Sequence, residues 1–305
     1  AAMGLAALML GFVVALVALE AVTRKGRTDS RDGLAHRASQ EALVRLSALG
    51  QLAAFAICAL PLLFGFAIPA LYLSTLAVED AAITAAASLG EYASASLWLG
   101  AAVALTTTAL ALLLTFAKRR SAGRFVAGVT RIATLGYALP GALLAVGLLA
   151  PLGLVDQRIT GFARGTLGYG GGLLLSGTSL ILIYALCVRF LTVAYNTLDG
   201  GMARIPASLD AAARSLGAKP SRVLARVYTP LLRPSLLAAL ALVLIDTLRE
   251  LPATLILRPF NLETLATRTY RLASDERLVE ASIPALILLA VGLIPAIMLT
   301  RSRAA

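Results

Sequence analysis

The sequence predicts an all-α, polytopic transmembrane helix bundle with about seven spans, and three observations lead to that prediction. Hydrophobic residues make up 59% of the 305-residue chain and charged residues 14%, and the mean hydropathy is +0.86. A soluble globular domain is about 45–50% apolar and ~25% charged. Apolar segments long enough to cross a ~30 Å hydrocarbon core recur along the chain. Lys and Arg are concentrated in alternate loops, as in multi-pass membrane proteins.

Seven apolar segments are predicted to span the membrane. They are residues 3–22, 49–73, 93–117, 132–155, 173–198, 235–257 and 283–299. No basic region precedes the first segment, which therefore predicts a true span rather than a signal peptide. Prolines predict distortions in two of the spans, at Pro61 and Pro69 in the second and at the Pro140-Gly141 pair in the fourth.

The distribution of basic residues predicts how the chain is oriented. The first, third and fifth loops and the C-terminus together hold 19 of the 27 Lys and Arg residues. The second, fourth and sixth loops hold 7, and Arg189 lies inside the fifth span. Because basic loops stay on the cytoplasmic side, we expect the N-terminus of this sequence outside and the C-terminus in the cytoplasm. The net charge of +11 therefore indicates membrane topology rather than nucleic-acid binding.

Residues 205–234, called the hairpin below, form the longest polar break between the apolar segments. Pro206 and Ser208 favour the start of a helix. Gly217 suits the left-handed residue that ends a helix, and Pro220 can open a second one. The pattern predicts two short amphipathic helices joined by a glycine turn, on the cytoplasmic side. Such a hairpin can be a docking surface or an ordinary amphipathic loop, but it has no catalytic constellation.

The hairpin resembles the EAA loop of ABC-transporter permeases. In that loop Glu-Ala-Ala is followed by three residues and a glycine, and nine residues later by an apolar residue and then a proline. Positions that match in register are Ala212, Ala213, Gly217, Val227 and Pro230. The family's glutamate falls on Ala211, and Asp210 stands one place earlier, about 100° around a helix. The resemblance implies that Asp210, Ala211 and the matching residues couple the chain to an ATPase, although Asp210 cannot simply replace the glutamate.

Charged residues inside predicted spans form the second candidate site. Asp246, Arg249 and Glu250 lie at the outer end of the sixth span, where charge is costly and often functional. Their spacings, i to i+3 and i to i+4, predict that all three share one helix face before Pro252 breaks the helix. Arg189 needs a counter-charge, and we expect Asp246 or Glu250 to supply it. A structural ion-pair cluster and a lining of the substrate path both remain open.

The run after this cluster resembles permeases of the ferric-iron ABC uptake family. The matching segments are ELPAT at 250–254, LRPFN at 257–261, TLATR at 264–268 and ASDER at 273–277. The resemblance implies the type I ABC importer permease fold. It also implies two homologous halves, each with six spans and an EAA loop. Residues 1–48 are then the last span of a preceding repeat plus a cytoplasmic linker, and residues 49–305 are a six-span permease domain. A permease that homodimerises is the alternative.

The resemblance implies a transport subunit rather than an enzyme. The expected partners are a cytoplasmic ABC ATPase dimer that carries the ATP and Mg, a periplasmic or surface binding protein, and a second permease half. No cofactor or metal site is expected in this chain, and the expected location is the bacterial inner membrane. Ferric iron is the expected cargo, with thiamine or phosphonate as alternatives. An ion-coupled secondary transporter is the alternative from another class; it needs no ATPase and typically shows inverted repeats.

Overall fold

A computed structural model describes residues 47–79, 89–121, 123–168, 171–172 and 177–304. The predicted first span, residues 3–22, and most of the basic loop after it lie outside the described residues. The chain divides into two compact units, Ala1–Tyr72 and Leu73–Ala305.

The described part of the first unit belongs to one long apolar helix, α1 (Ala48–Leu76). Ser47 begins it, because its hydroxyl accepts a hydrogen bond from the Gly50 N–H at 3.3 Å. Residues Leu63–Ala67 form a π-helical turn within it. Pro69 lacks the N–H that would bond the carbonyl of Gly65, which explains the wider turn at this place. The second predicted span is therefore a helix that is distorted near its prolines.

The second unit consists of helices throughout its described residues, which contain no strand. In chain order they are α2 (Leu89–Arg120), α3 (Arg124–Ala133), α4 (Gly141–Leu167), α5 (Ser179–Met202), α6 (Ser208–Ser215), α7 (Pro220–Leu231), α8 (Arg233–Leu248), α9 (Pro252–Leu257), α10 (Leu265–Ser274) and α11 (Leu278–Ala304).

Four described helices are long and apolar enough to cross a membrane, namely α1, α2, α4 and α5. A fifth span results if α7 and α8, which meet at 79°, are counted together. The apolar part of α11, Leu278–Ile294, is shorter. The predicted all-α fold with membrane-spanning helices is confirmed, and the described residues contain four or five of the seven predicted spans.

Three helices form the centre of the second unit, since α2, α5 and α8 pack against one another. Leu99 and Val103 of α2, Leu186 of α5 and Val243 of α8 are buried in one apolar cluster. Glycine permits the close approach of α2 and α8, because a Cβ on Gly100 would lie 2.6 Å from Leu244. The short helix α9 packs on α4 and α5, and α10 packs on α11 and α2.

The fourth and sixth predicted spans differ most from the structure at their ends. The fourth was expected over residues 132–155 with a kink at Pro140-Gly141, but Pro140 is the residue before α4, which continues to Leu167. Proline suits a helix start because its missing N–H is not needed there. Asp156, expected in a loop, consequently lies within α4 and is buried. The sixth span was expected to reach residue 257, but α8 ends at Leu248.

Gly136, in the 3₁₀ turn before α4, is a close contact point between chain segments. A Cβ there would overlap the backbone of Val188 in α5, whose carbonyl carbon lies 2.8 Å away. We expect Gly136→Ala to lower the free energy of unfolding by about 1–3 kcal/mol, because backbone atoms cannot yield cheaply. The measurement is chemical unfolding of the detergent-purified protein.

Gly128→Ala is the matched control for this prediction. Gly128 lies in α3 with no atom within 4 Å of its added Cβ. Alanine is a better helix former than glycine, so the free energy of unfolding of this variant is expected to rise by about 0.5–1 kcal/mol. Equal effects of the two substitutions would contradict the assignment of Gly136 as a steric contact.

Candidate functional site

The hairpin has the predicted form of two short helices joined at a glycine. Gly217 has a φ of +64°, and the Ala218 N–H donates to the Ala213 carbonyl at 3.1 Å. This six-to-one bond with a left-handed glycine is a Schellman turn, which closes the end of α6. Proline 220 begins α7, as expected. The glycine and proline signals therefore predicted the local structure correctly.

The second hairpin helix has an irregularity that precedes its bend into α8. Residues Leu224–Tyr228 form a π-helical turn, and the Thr229 hydroxyl donates to the Leu224 carbonyl at 2.9 Å. Pro230 cannot donate to the carbonyl one turn before it, which favours this wider turn. The chain then bends by 79° between α7 and α8. The bend lies at Leu232, two residues after Pro230.

Arg119, at the end of α2, fastens the hairpin to the helix bundle. Its Nε donates to Oδ2 of Asp210 at 2.8 Å. Its Nη1 donates to the carbonyl of Met202 at 2.8 Å, and its Nη2 to those of Ile205 at 2.9 Å and Pro206 at 3.1 Å. One guanidinium thus satisfies carbonyls at the end of α5 and a carboxylate of α6. A planar fork of five donors is suited to such a contact, and an ammonium is not.

Asp210 is the only acidic residue of the hairpin, and it is turned towards the bundle. Besides the ion pair with Arg119, it accepts a hydrogen bond from the Tyr228 hydroxyl of α7. Tyr228 is fully buried and packs edge-to-face on Phe116 of α2, with ring centroids 5.6 Å apart. Asp210 therefore joins α2, α6 and α7. The carboxylate of Asp210 thus binds partners within the chain. Asp210 precedes Ala211 by one residue, which places it about 100° away around the helix.

The other predicted coupling residues occupy different environments. Ala211, Ala212 and Pro230 are exposed, whereas Ala213 and Val227 are half-buried. A cavity of about 250 Å³ lies between the hairpin and the end of α2. Its lining residues are Phe116, Arg119, Arg120, Ala207, Asp210, Ala213, Ala218 and Val223. The outer surface of α6 thus has two exposed alanines, Ala211 and Ala212. The cavity, lined by polar and apolar residues, lies between the hairpin and α2.

Sequence reasoning did not identify Arg119 or Tyr228. The neighbouring Lys118 also ties α2 to α5, since its Nζ donates to the Tyr195 hydroxyl at 2.7 Å and to Asp199 at 3.0 Å. Three consecutive cations end α2, at 118, 119 and 120, and only their direction around the helix separates their roles.

The predicted charge cluster in the membrane separates into two pairs. Arg189 lies next to Glu250, with 3.3 Å between Nε and Oε2, a distance typical of an ion pair. Arg249 pairs with Asp246 instead, and its side chain is 67% exposed. The expectation that Asp246, Arg249 and Glu250 share one helix face is wrong for Glu250, because α8 ends at Leu248 before reaching it. Of the two acids named as partners for Arg189, the structure selects Glu250.

Glu250 occupies the break between α8 and α9 and stabilises it. Its Oε1 accepts a hydrogen bond from the Ala253 N–H at 3.2 Å, which satisfies a donor in the first turn of α9. Arg189 also donates from Nη1 to the Leu139 carbonyl at 3.0 Å. A Cβ on Gly141 would lie 2.7 Å from Nη1 of Arg189. The pair therefore connects α5, the start of α4 and the α8–α9 break at one buried point.

Known proteins resemble the chain in sequence and in fold. No protein-family model matches the chain. It is 26% identical over 198 residues to the Fe(3+)-transport system permease protein FbpB 2 of Haemophilus influenzae, which covers 65% of this chain and 36% of that protein. It is 32% identical over 124 residues to the putative 2-aminoethylphosphonate transport system permease protein PhnV of Salmonella typhimurium, covering 41% of this chain and 47% of that protein. The chain thus spans less than half the length of these curated relatives.

Two solved structures share the fold of the chain. One is a chain of the bacterial alginate ABC transporter in complex with an alginate pentasaccharide-bound periplasmic protein, with a TM-score of 0.66 and 15% identity. The match covers 82% of this chain and 92% of that one. The other is a bacterial ABC transporter involved in import of the acidic polysaccharide alginate, with a TM-score of 0.64, 15% identity and coverage of 83% and 95%. At this identity the likeness concerns the fold alone.

Proposed function

We propose that this chain is a membrane-spanning permease subunit of an ATP-driven ABC importer in the bacterial cytoplasmic membrane. The observation that carries the proposal is the hairpin. Two short helices, closed by a left-handed glycine, are held by Arg119 at one end of an apolar helix bundle. The positive-inside count favours the cytoplasmic side for this end. A rigid, exposed hairpin at that position is suited to transmit movement from an ATPase to the spans.

The proposed partners follow from this role. A cytoplasmic ABC ATPase dimer, carrying ATP and Mg, contacts the hairpin and its exposed alanines. A binding protein delivers the cargo on the opposite side, and the periplasmic protein in one of the related transporter structures supports this part. A second permease half, in the same polypeptide or from a second copy, completes the path. The Arg189–Glu250 pair either lines that path or locks the helices around it.

Ferric iron is the proposed cargo. Two observations support it, the four segments between residues 250 and 277 and the similarity to an Fe(3+)-transport permease over most of this chain. A phosphonate is the second candidate, because the chain has its higher sequence identity with 2-aminoethylphosphonate permeases. Uptake of radiolabelled Fe³⁺ and of 2-aminoethylphosphonate by cells with and without the chain separates the two. Uptake of neither would contradict both cargoes.

The coupling role is tested at the glycine turn. Gly217→Pro is expected to abolish capture of the ATPase subunit by the full-length detergent-purified protein, because proline cannot adopt a φ of +64°. The measurement is co-purification with candidate ABC ATPase subunits. Gly168→Pro is the matched control, since Gly168 has a φ of +63° at the end of α4, away from the hairpin. If neither the native protein nor the control retains an ATPase, the permease assignment fails.

A further inference from the structure

We propose that the ATPase subunit binds this hairpin through an acidic surface. Carboxylates of the ATPase subunit contact a cationic stripe on the hairpin, formed by Lys219, Arg222 and Arg226. An apolar pocket of the ATPase subunit receives Leu216. The inference rests on the proposed function and specifies the chemistry of its partner. In EAA loops with the family's glutamate, the hairpin itself offers an anion. In this chain position 211 is alanine, and Lys219, Arg222 and Arg226 are exposed cations.

The stripe is a feature of the second hairpin helix. Arg222 and Arg226 are four residues apart in α7, and Lys219 is the extended residue immediately before this helix. All three side chains are exposed. Within the described part of the chain, none of them is paired with a carboxylate. Three neighbouring positive charges without internal partners attract an anionic surface.

The hairpin has no exposed anion to offset this stripe. Its only carboxylate, Asp210, is held by Arg119 and Tyr228 on the side of the bundle. Position 211, where the family has its glutamate, is an exposed alanine. The outward electrostatic surface of the described hairpin is therefore positive, and like charges on a partner would be repelled.

The stripe faces away from the helix bundle. Val223 and Tyr228 form the buried face of α7, at 7% and 0% exposure, so Arg222 and Arg226 point elsewhere on the same helix. Leu216, at the tip beside Gly217, is 84% exposed. An apolar side chain next to a row of cations is typical of a protein contact with an apolar centre and a charged rim. An anionic lipid surface also binds cations beside an apolar side chain. We infer a protein surface because the hairpin is the proposed coupling element.

Charge reversal tests the inference with the ATPase subunit that co-purifies with the native chain. Arg222→Glu combined with Arg226→Glu is expected to weaken ATPase binding at least tenfold. Arg222→Gln combined with Arg226→Gln is expected to have a smaller effect, and added NaCl should weaken native binding. The matched control is Arg124→Glu with Arg131→Glu, an equal charge change at exposed residues of α3; it is expected to bind like the native protein.

Repeating the measurement in nanodiscs distinguishes a protein from a lipid surface. We expect the same loss in discs of phosphatidylcholine alone and in discs that also contain phosphatidylglycerol. The inference is overturned if the reversed hairpin binds like the native one, or if the loss occurs only with phosphatidylglycerol. In either case native binding would leave the proposed function standing. Failure of the native protein to bind any ATPase would overturn the proposed function itself, and the inference with it.

Discussion

Replacing Arg119 with alanine is expected to release the hairpin from the bundle and to abolish ATPase capture and transport. The substitution removes the ion pair with Asp210 and the donors to three carbonyls. Both charges of that pair are mostly buried, at 15% and 23% side-chain exposure, so Asp210 would be left without its cation. Breaking such a contact costs about 2–4 kcal/mol.

Hydrogen exchange of the full-length protein measures this effect where it arises. Amides of α6 and α7 are expected to exchange faster in Arg119→Ala, while those in the middle of α5 and α8 stay protected. Arg119→Lys keeps the positive charge but lacks the planar set of guanidinium donors. Its α6 and α7 amides are expected to be better protected than in Arg119→Ala but less than in the native protein. Arg124→Ala is the control, since Arg124 is exposed at the start of α3. Unchanged exchange in the alanine variant would show that the hairpin is held by its apolar contacts alone.

Replacing Glu250 with glutamine is expected to be the most destabilising single change in the membrane part of the chain. The Glu250 side chain is 7% exposed and that of Arg189 is 19% exposed. Removing the carboxylate leaves the guanidinium uncompensated among buried apolar residues, which costs about 3–5 kcal/mol. It also weakens the hydrogen bond in the first turn of α9. Chemical unfolding in detergent, followed by circular dichroism, gives the change in free energy.

Two further variants show whether the effect comes from the lost pair. Asp246→Asn breaks the other ion pair, whose arginine is largely exposed, and is expected to cost less than about 1 kcal/mol. Glu250→Leu combined with Arg189→Met removes both charges and is expected to restore most of the lost stability. If the double variant is as unstable as Glu250→Gln, the hydrogen bond in the first turn of α9 rather than the ion pair is responsible. Transport by the double variant distinguishes the two roles of the pair. Retained transport indicates a structural ion pair, and lost transport in a stable protein indicates residues that line the substrate path.

The α8–α9 break shows why the charged cluster could be predicted only in part. Spacing along an uninterrupted helix places Asp246, Arg249 and Glu250 together. Pro252 begins α9, and α8 ends at Leu248, so Glu250 leaves the helical register and reaches Arg189. Arg189 lies in an apolar segment, and this alone predicted that it would need a carboxylate partner. The choice between two carboxylates depended on where one helix ended.

The contacts of the three cations at the end of α2 could not be predicted from the sequence either. Lys118 reaches Asp199 and Tyr195 of α5, Arg119 reaches the hairpin, and Arg120 lies exposed over Phe116. Their sequence signal is identical, a basic residue after an apolar segment. Successive residues point about 100° apart around a helix, so each faces a different neighbour. Which neighbour that is follows from the packing of α2 on α5.

The sequence by itself determined the helical membrane architecture, the glycine-closed hairpin and the distortion near Pro69. Each of these depends on single residues or short runs, through the transfer of apolar side chains into lipid and the permitted backbone angles of glycine and proline. Only the tertiary structure decided that Asp210 faces Arg119, that Glu250 faces Arg189 and that Asp156 is buried in α4. These contacts join residues that are distant in the chain, so they depend on how helices rotate and end against one another.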